Sequence, residues 1–540
     1  MLGCSAYLGT ATAQTLQVDL DYGSFEGKLS TISNISYWVK IPFAAPPTGE
    51  NRFRAPQPPL NVSGVYDTDL SFPRCPQLGV NGSEDCLYLG VYSRPWTTGQ
   101  PLRPVYVNFF SGGFVQGSAS SGPPGLNAAS LKVSAANDFV GVGPNYRTNA
   151  FGFLPGSEVF EAADADLNVG LLDQQYALEW VQKYIHLFGG DPGNVTLWGT
   201  SAGGGSVVAH TIAHDGQTQP PLFRRGIMDS PYWPKTYAYN APESEAIFDS
   251  LVILTNCSSS DTAGNSSTTT AGNGQLACLR ALDVDVLNAA AYTITKSDKY
   301  GPSMFTWGPV IEPDTGFLTQ TLSEAVQNQR LNGEAFIATY AQLEGEYFLP
   351  SALNRSTSSG DPPLNDTVAA FGVWLTEFLP SLNTSTRARL ETLYPVEGAT
   401  ETIGAYNQTW VRAELVFRDL VLACPGHWIA GGAKTGGYQI EYTIPPANHG
   451  DEAQWWAGVE PIQAEYPLVY EGFAGAYASF VQTGDPNAHK LTNDTQPALP
   501  ELRTTQEEFV VTLEGFEKVA LDYLPARCDF WLDVAPSIPV

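Results

Sequence analysis

The chain has 540 residues, 43% hydrophobic and 12% aromatic, enough apolar material for a large packed core. Acidic residues outnumber basic ones 55 to 27, for a net charge of −28, which repels nucleic acid and anionic membrane surfaces, and no nucleic-acid partner is expected. The balance fits solubility in an acidic medium, and length alone suggests three or four domains.

Residues 1–13 end in Ala11-Thr12-Ala13, an A-x-A cleavage signature that predicts a secretory signal peptide and Gln14 as the mature start. The stretch is short and lacks a basic leading region, as a truncated gene start would. Pro104 to Phe110 reads as a central strand leading into Ser111-Gly112-Gly113-Phe114. Phe139 to Pro144 reads as another, closed by its proline. Residues 168–187 follow as a helix, with Leu171, Leu178, Val181 and Ile185 at helical spacing. Asp191-Pro192-Gly193-Asn194 is a turn into a short buried strand, Val195 to Trp198. Next comes Gly199-Thr200-Ser201-Ala202-Gly203, and from Gly204 to His210 the start of a helix. Residues 257–274, rich in Ser, Thr, Gly and Asn, read as a surface loop. Residues 335–340 and 438–444 are two later strands. Short apolar strands alternating with helices predict an α/β architecture, a large, mostly parallel central sheet covered by helices on both faces.

The seven cysteines are Cys4, Cys75, Cys86, Cys257, Cys278, Cys424 and Cys528; none forms a C-x-x-C pair, so no zinc or redox site is expected. Cys4 would leave with the signal, and the other six can pair. Eleven N-x-[S/T] sequons, from Asn34 to Asn493, predict a secreted, N-glycosylated extracellular protein. No apolar run of about 18 residues predicts a transmembrane helix.

A G-x-S-x-G turn between strand and helix is a nucleophile elbow: small neighbours let the chain turn sharply and lift the serine hydroxyl clear. With 52 glycines in the chain, the five-residue pattern is weak alone and needs partners. An esterase also needs a base, an orienter for the base and donors for an oxyanion. Of the six histidines, only His449 sits in a loop just after a strand, in Pro446-Ala447-Asn448-His449-Gly450. His186, His210 and His214 fall in helical segments, His427 follows Cys424-Pro425, and His489 lies in a polar turn. Glu344 follows the strand at 335–340 and precedes Gly345, the place of an orienting acid. The amides of Gly112 and Gly113, after an earlier strand, and of Ala202 can supply an oxyanion hole. No metal or cofactor is required.

The ordered motifs make the comparison specific. Ile41-Pro42-Phe43-Ala44-Ala45-Pro46-Pro47-Thr48-Gly49, Arg52-Phe53-Arg54-Ala55-Pro56, Glu84-Asp85-Cys86-Leu87-Tyr88-Leu89, Asn145-Tyr146-Arg147, Phe188-Gly189-Gly190-Asp191-Pro192, Cys278-Leu279-Arg280, Gly484-Asp485-Pro486-Asn487 and Cys528-Asp529-Phe530-Trp531 run almost end to end. With them the chain resembles the type-B carboxylesterases, the family of cholinesterases and fungal lipases. The resemblance implies an α/β-hydrolase fold in one large domain over residues 14–540. It implies Ser201 as nucleophile, His449 as general base then acid, Glu344 as orienter, and an oxyanion hole from Gly112, Gly113 and Ala202. It also implies disulfides Cys75–Cys86, Cys257–Cys278 and Cys424–Cys528, and a small-molecule ester as substrate.

Three departures from the family pattern stand out. Ser111 replaces the first of three glycines in the oxyanion loop. Thr200 replaces a glutamate beside the nucleophile, removing a negative charge that would favour a choline ester. The first disulfide loop, a long hydrophobic lid in the lipases, has only ten residues here, Pro76 to Asp85, with Leu78 and Val80 its strongly apolar members. A permanently open site follows, and with it a carboxylesterase of short-to-medium or aryl esters rather than a long-chain lipase or sterol esterase. A non-catalytic adhesion protein of the same fold would have lost one of Ser201, Glu344 and His449. Phe114, Trp233, Phe305 and Trp307 are candidate pocket residues, and Trp455 and Trp456 follow His449; core packing competes with substrate contact for each.

Overall fold

The structure is a computed structural model that describes residues 16–31, 33–69, 71–77, 82–120, 138–258, 274–296, 306–313, 315–350, 367–456, 460–489 and 496–540. The signal segment, Cys4, Leu78, Val80, Phe305 and most of the predicted 257–274 loop lie outside the described residues.

In chain order the strands are β1 (Gln17–Leu20), β2 (Gly23–Glu26), β3 (Lys28–Ser30), β4 (Ile35–Pro42), β5 (Val65–Asp67), β6 (Tyr88–Ser93), β7 (Arg103–Phe109), β8 (Val140–Pro144), β9 (Gly190–Thr200), β10 (Arg225–Asp229), β11 (Ala335–Ala341), β12 (Gly437–Tyr442), β13 (Glu507–Thr512) and β14 (Gly515–Ala520). Strands β1, β2 and β5 form a small sheet. The other eleven form one sheet in the order β14-β13-β12-β11-β10-β9-β7-β8-β6-β4-β3. From β13 through β8 neighbours run parallel, and the pairs at both edges are antiparallel. This is the predicted α/β architecture of an α/β-hydrolase.

The central strands β8, β10, β11 and β12 are buried at every position, as parallel strands covered on both faces must be. On one face, the helices Val169–Tyr184, Ala202–Gly216 and Cys424–Gly431 contribute to one buried apolar cluster. On the other, the helix Pro467–Thr483 packs Phe473, Tyr477 and Phe480 into a second, with Trp198 of β9. Trp455 and Trp456 belong to that second cluster, Trp456 against Phe473 and Tyr477, so both are core residues.

Two local expectations need correction. Asp191 to Asn194 do not form a separate turn; they are the first part of β9. Asp191 Oδ1 accepts from the Gly193 amide at 2.9 Å, a local turn motif absorbed as a register shift in the pairing of β7 with β9. His214 sits in a non-helical kink at the end of its helix, with φ 52°, rather than in regular helix. All three disulfides form, with Cα–Cα distances of 5.1, 5.6 and 5.2 Å for Cys75–Cys86, Cys257–Cys278 and Cys424–Cys528.

Several carboxyl groups lie fully inside. Burial pushes Asp173, Glu414 and Glu508 up, and Glu441 up to about 7. Glu508 accepts from Tyr340 Oη at 2.9 Å. In each, the folded state gives up its proton at a higher pH than the unfolded chain does. Stability is therefore lost as pH rises toward the folded value. Buried His210 (pushed down to about 3) and His427 act the other way, but only below about pH 6.5, where the unfolded histidines take up protons. We predict a melting temperature that falls as pH rises from about 6.5 through about 7, where Glu441 titrates, and a shallower fall in Glu508→Gln. A melting temperature flat or rising over that interval contradicts this.

Candidate active site

The loop ends on the C-terminal side of the parallel strands bring distant residues together. Ser201 joins β9 to the helix Ala202–Gly216, with φ 57° and ψ −124°. A Cβ at Gly199 would lie 2.2 Å from the Gly203 carbonyl carbon, and one at Gly203 would lie 2.1 Å from the Phe109 carbonyl oxygen. The two glycines therefore allow the turn and its direct packing on the end of β7. The Ser201 amide donates to the Asp229 carbonyl at 2.9 Å, and the Ser201 carbonyl accepts from the amides of Gly205 and Tyr232 at 2.8 and 2.9 Å.

His449 Nε2 lies 2.8 Å from Ser201 Oγ, and His449 Nδ1 lies 3.1 Å from Glu344 Oε2. Glu344 is fully buried at the start of a short 3₁₀ helix, Glu344–Phe348, that follows β11. The Leu343 amide donates to the Ala447 carbonyl at 3.0 Å, tying the acid's loop to the histidine's. Phe348 stands edge-on to the imidazole, ring centroids 4.9 Å apart.

Gly112 (φ 124°) and Gly113 (φ 62°) lie just beyond β7, whose Phe109 pairs with Gly199 of β9. Ala202 opens the helix, so its amide has no acceptor four residues back. Ser111 Oγ donates to the Thr200 carbonyl at 2.9 Å. At the far end of the loop, Gln77 donates to the Gly117 carbonyl at 2.8 Å and accepts from its amide at 2.9 Å. Gln77 belongs to the first disulfide loop, so that part of the loop props the glycine-rich segment from below.

Behind the histidine is a group the sequence reading missed. Ser230 Oγ donates to Glu452 Oε1 at 2.6 Å, and Glu452 is fully buried. Burial, and then the charge of Glu344, push the Glu452 carboxyl up to about 7. Thr200 Oγ1 donates at 2.7 Å to Oδ2 of the buried Asp229, which burial and Glu452 push well above the ordinary carboxyl range. A carboxyl group thus stands beside the elbow after all, held toward its neutral form. Glu452 is three residues beyond His449, and Ser230 immediately follows β10; those spacings are the available signals.

Of the pocket candidates, Phe114 packs on Phe153, with ring centroids 5.2 Å apart, and is fully buried. Trp307 is buried and donates to the Ala291 carbonyl at 3.2 Å. Trp233 is fully buried, and its indole N–H has no hydrogen-bond partner among the described residues. His210 stacks on Phe109 in the core, and half-buried His427 has Nδ1 2.7 Å from Gln439 Oε1. Among the described residues no group of three or more His, Cys, Asp or Glu could hold a metal ion, and no helix is long and apolar enough to cross a membrane.

The sheet order and the elbow define an α/β-hydrolase. A family model described as the carboxylesterase family matches residues 14–531, and the chain belongs to that family. It is 31% identical over 446 residues to carboxylesterase patB of Aspergillus clavatus, covering 79% of this chain and 73% of that one. It is 30% identical over 452 residues to lipase 1 of Geotrichum candidum, covering 75% and 74%. Its fold matches that of Aspergillus niger EstA with a TM-score of 0.81 at 23% identity, over 97% of this chain and 99% of that one. The protein is accordingly a carboxylic-ester hydrolase.

Because Gly203 packs directly on the Phe109 carbonyl, Gly203→Ala must displace the elbow. We predict at least a tenfold loss of kcat on any ester the parent hydrolyses, measured alongside circular dichroism; full activity in the variant would contradict the packing argument.

Proposed function

We propose that the protein is a serine carboxylesterase that works through an acyl-enzyme on short-to-medium or aryl esters. The observation that carries the reading is the hydrogen-bonded chain Ser201–His449–Glu344 at the end of the sheet. His449 takes the Ser201 proton as the hydroxyl attacks the ester carbonyl. Glu344 holds the imidazole in its tautomer and stabilises the imidazolium. The tetrahedral oxyanion is met by the amides of Gly112, Gly113 and Ala202. His449 then protonates the leaving alcohol, and water, activated by the same imidazole, releases the acid and regenerates Ser201. No step calls on a cofactor.

One domain over residues 14–540, secretion, and N-linked glycans belong to the same proposal. They rest on the A-x-A segment, the sequon density and the disulfides. The absence of a long hydrophobic lid rests on the ten residues between Cys75 and Cys86 and on the engagement of Gln77 beneath the glycine loop.

Hydrolysis of p-nitrophenyl esters from acetate to palmitate tests the activity. We predict turnover of the shorter chains, falling toward palmitate, and its loss by at least about 10³-fold in Ser201→Ala. Turnover retained in that variant would overturn the mechanism; a maximum at palmitate would favour the lipase reading. We also predict a smooth rise of rate with triglyceride concentration through its solubility limit. A sharp jump there would reveal interfacial activation and contradict the open site.

A further inference from the structure

Ser111, Thr200 and Asp229 stand at the C-terminal ends of β7, β9 and β10, three neighbours in the sheet. They form one hydrogen-bonded run. Ser111 Oγ donates to the Thr200 carbonyl at 2.9 Å, Thr200 Oγ1 donates to Asp229 Oδ2 at 2.7 Å, and the Asp229 carbonyl accepts from the Ser201 amide at 2.9 Å. The run begins on the residue before Gly112 and ends on the backbone of the nucleophile. Asp229 is fixed from its other side by Tyr477, whose hydroxyl lies 3.5 Å from Oδ1 and pairs with Thr339.

Two of the three members are the positions where this chain departs from the family pattern. A glycine at 111 has no hydroxyl to reach across to β9. A glutamate at 200 would set a carboxylate where Thr200 now donates to a buried carboxyl. The two departures are therefore matched: the hydroxyl of Thr200 suits Asp229, and its carbonyl receives Ser111.

We propose that Ser111 and Thr200 act as a brace that fixes the distance between the Gly112–Gly113 amides and the Ser201–Ala202 elbow, with Ser111 a positioning residue for the oxyanion. The inference rests on the serine-esterase reading above. The hole has two halves on different strands, and its donors act only if they converge on one oxygen. Without the brace, the halves are joined by the pairing of β7 with β9 and by the packing of Gly203 on the Phe109 carbonyl. The bond acts where charge develops, so its loss lowers kcat and leaves KM nearly unchanged.

The experiment compares Ser111→Ala, Ser111→Thr, Thr200→Val and the Ala/Val double variant in steady-state hydrolysis of p-nitrophenyl acetate and butyrate, with melting temperatures recorded. Ser111 is solvent-exposed, so its substitution leaves the core untouched. We expect Ser111→Ala to lose roughly 3- to 10-fold in kcat, as one ordinary hydrogen bond would. KM should stay within about twofold, the melting temperature should not move, and Ser111→Thr should restore kcat. We expect the double variant to lose no more than about the larger single loss, because the two bonds lie in series. Parental kcat in Ser111→Ala, no rescue by threonine, or losses that multiply in the double variant would each overturn the brace. A parent inactive on both esters would instead sink the serine-esterase reading beneath it.

Discussion

Everything at this site depends on one strained turn. Ser201 holds a φ of 57°, a backbone region that side chains with a Cβ rarely occupy. The turn persists because its surroundings over-determine it. Its amide and carbonyl bond to Asp229, Gly205 and Tyr232, and the bare faces of Gly199 and Gly203 pack against backbone. From that point the hydroxyl meets His449. The helix begins at the next residue, Ala202, whose amide lies in its first turn without a helical acceptor. The strand order does the rest: β7, β9, β10, β11 and β12 lie side by side, so residues separated by 337 positions, from Gly112 to His449, share one edge.

Behind that edge lies an unusual concentration of buried acid. Glu344, Glu452 and Asp229 are all fully buried, and Glu452 and Asp229 are both pushed up by burial and by neighbouring carboxyl charge. Ionising all three would set like charges together in a region of low dielectric constant. Two of them are held toward the protonated form, and Glu344 is the one whose Oε2 faces the imidazole, 3.1 Å from His449 Nδ1. Hydroxyl donors from Ser230 and Thr200 complete the arrangement. The same preference for protonated interior carboxyls recurs at Glu441 and Glu508, far along the sheet.

Much of this was legible in the chain. The elbow, the lone histidine after a strand and the acid before Gly345 each follow from local pattern and chain order, and the structure joins them by hydrogen bonds. The central strands were visible as apolar runs. The supporting groups were not. Ser230 and Glu452 are ordinary surface residue types in sequence, and only the sheet order shows that β10 delivers one to the other. Gln77 sits in a loop read for its length as a lid rather than for what its side chain could hold. In sequence Thr200 is only the loss of a charge, because nothing local says that Asp229, 29 residues on, occupies the neighbouring strand end. The aromatic candidates were ambiguous because burial in a core and burial in a pocket wall use the same residues.

The central claim is that Ser201 is a nucleophile activated through His449 and Glu344. The most direct measurement is covalent labelling with a fluorophosphonate probe, followed by peptide mass mapping, at neutral pH. One label per chain, located on Ser201 and abolished in His449→Ala, is the result predicted. A folded parent that takes no label, or takes it at another residue, would contradict the account.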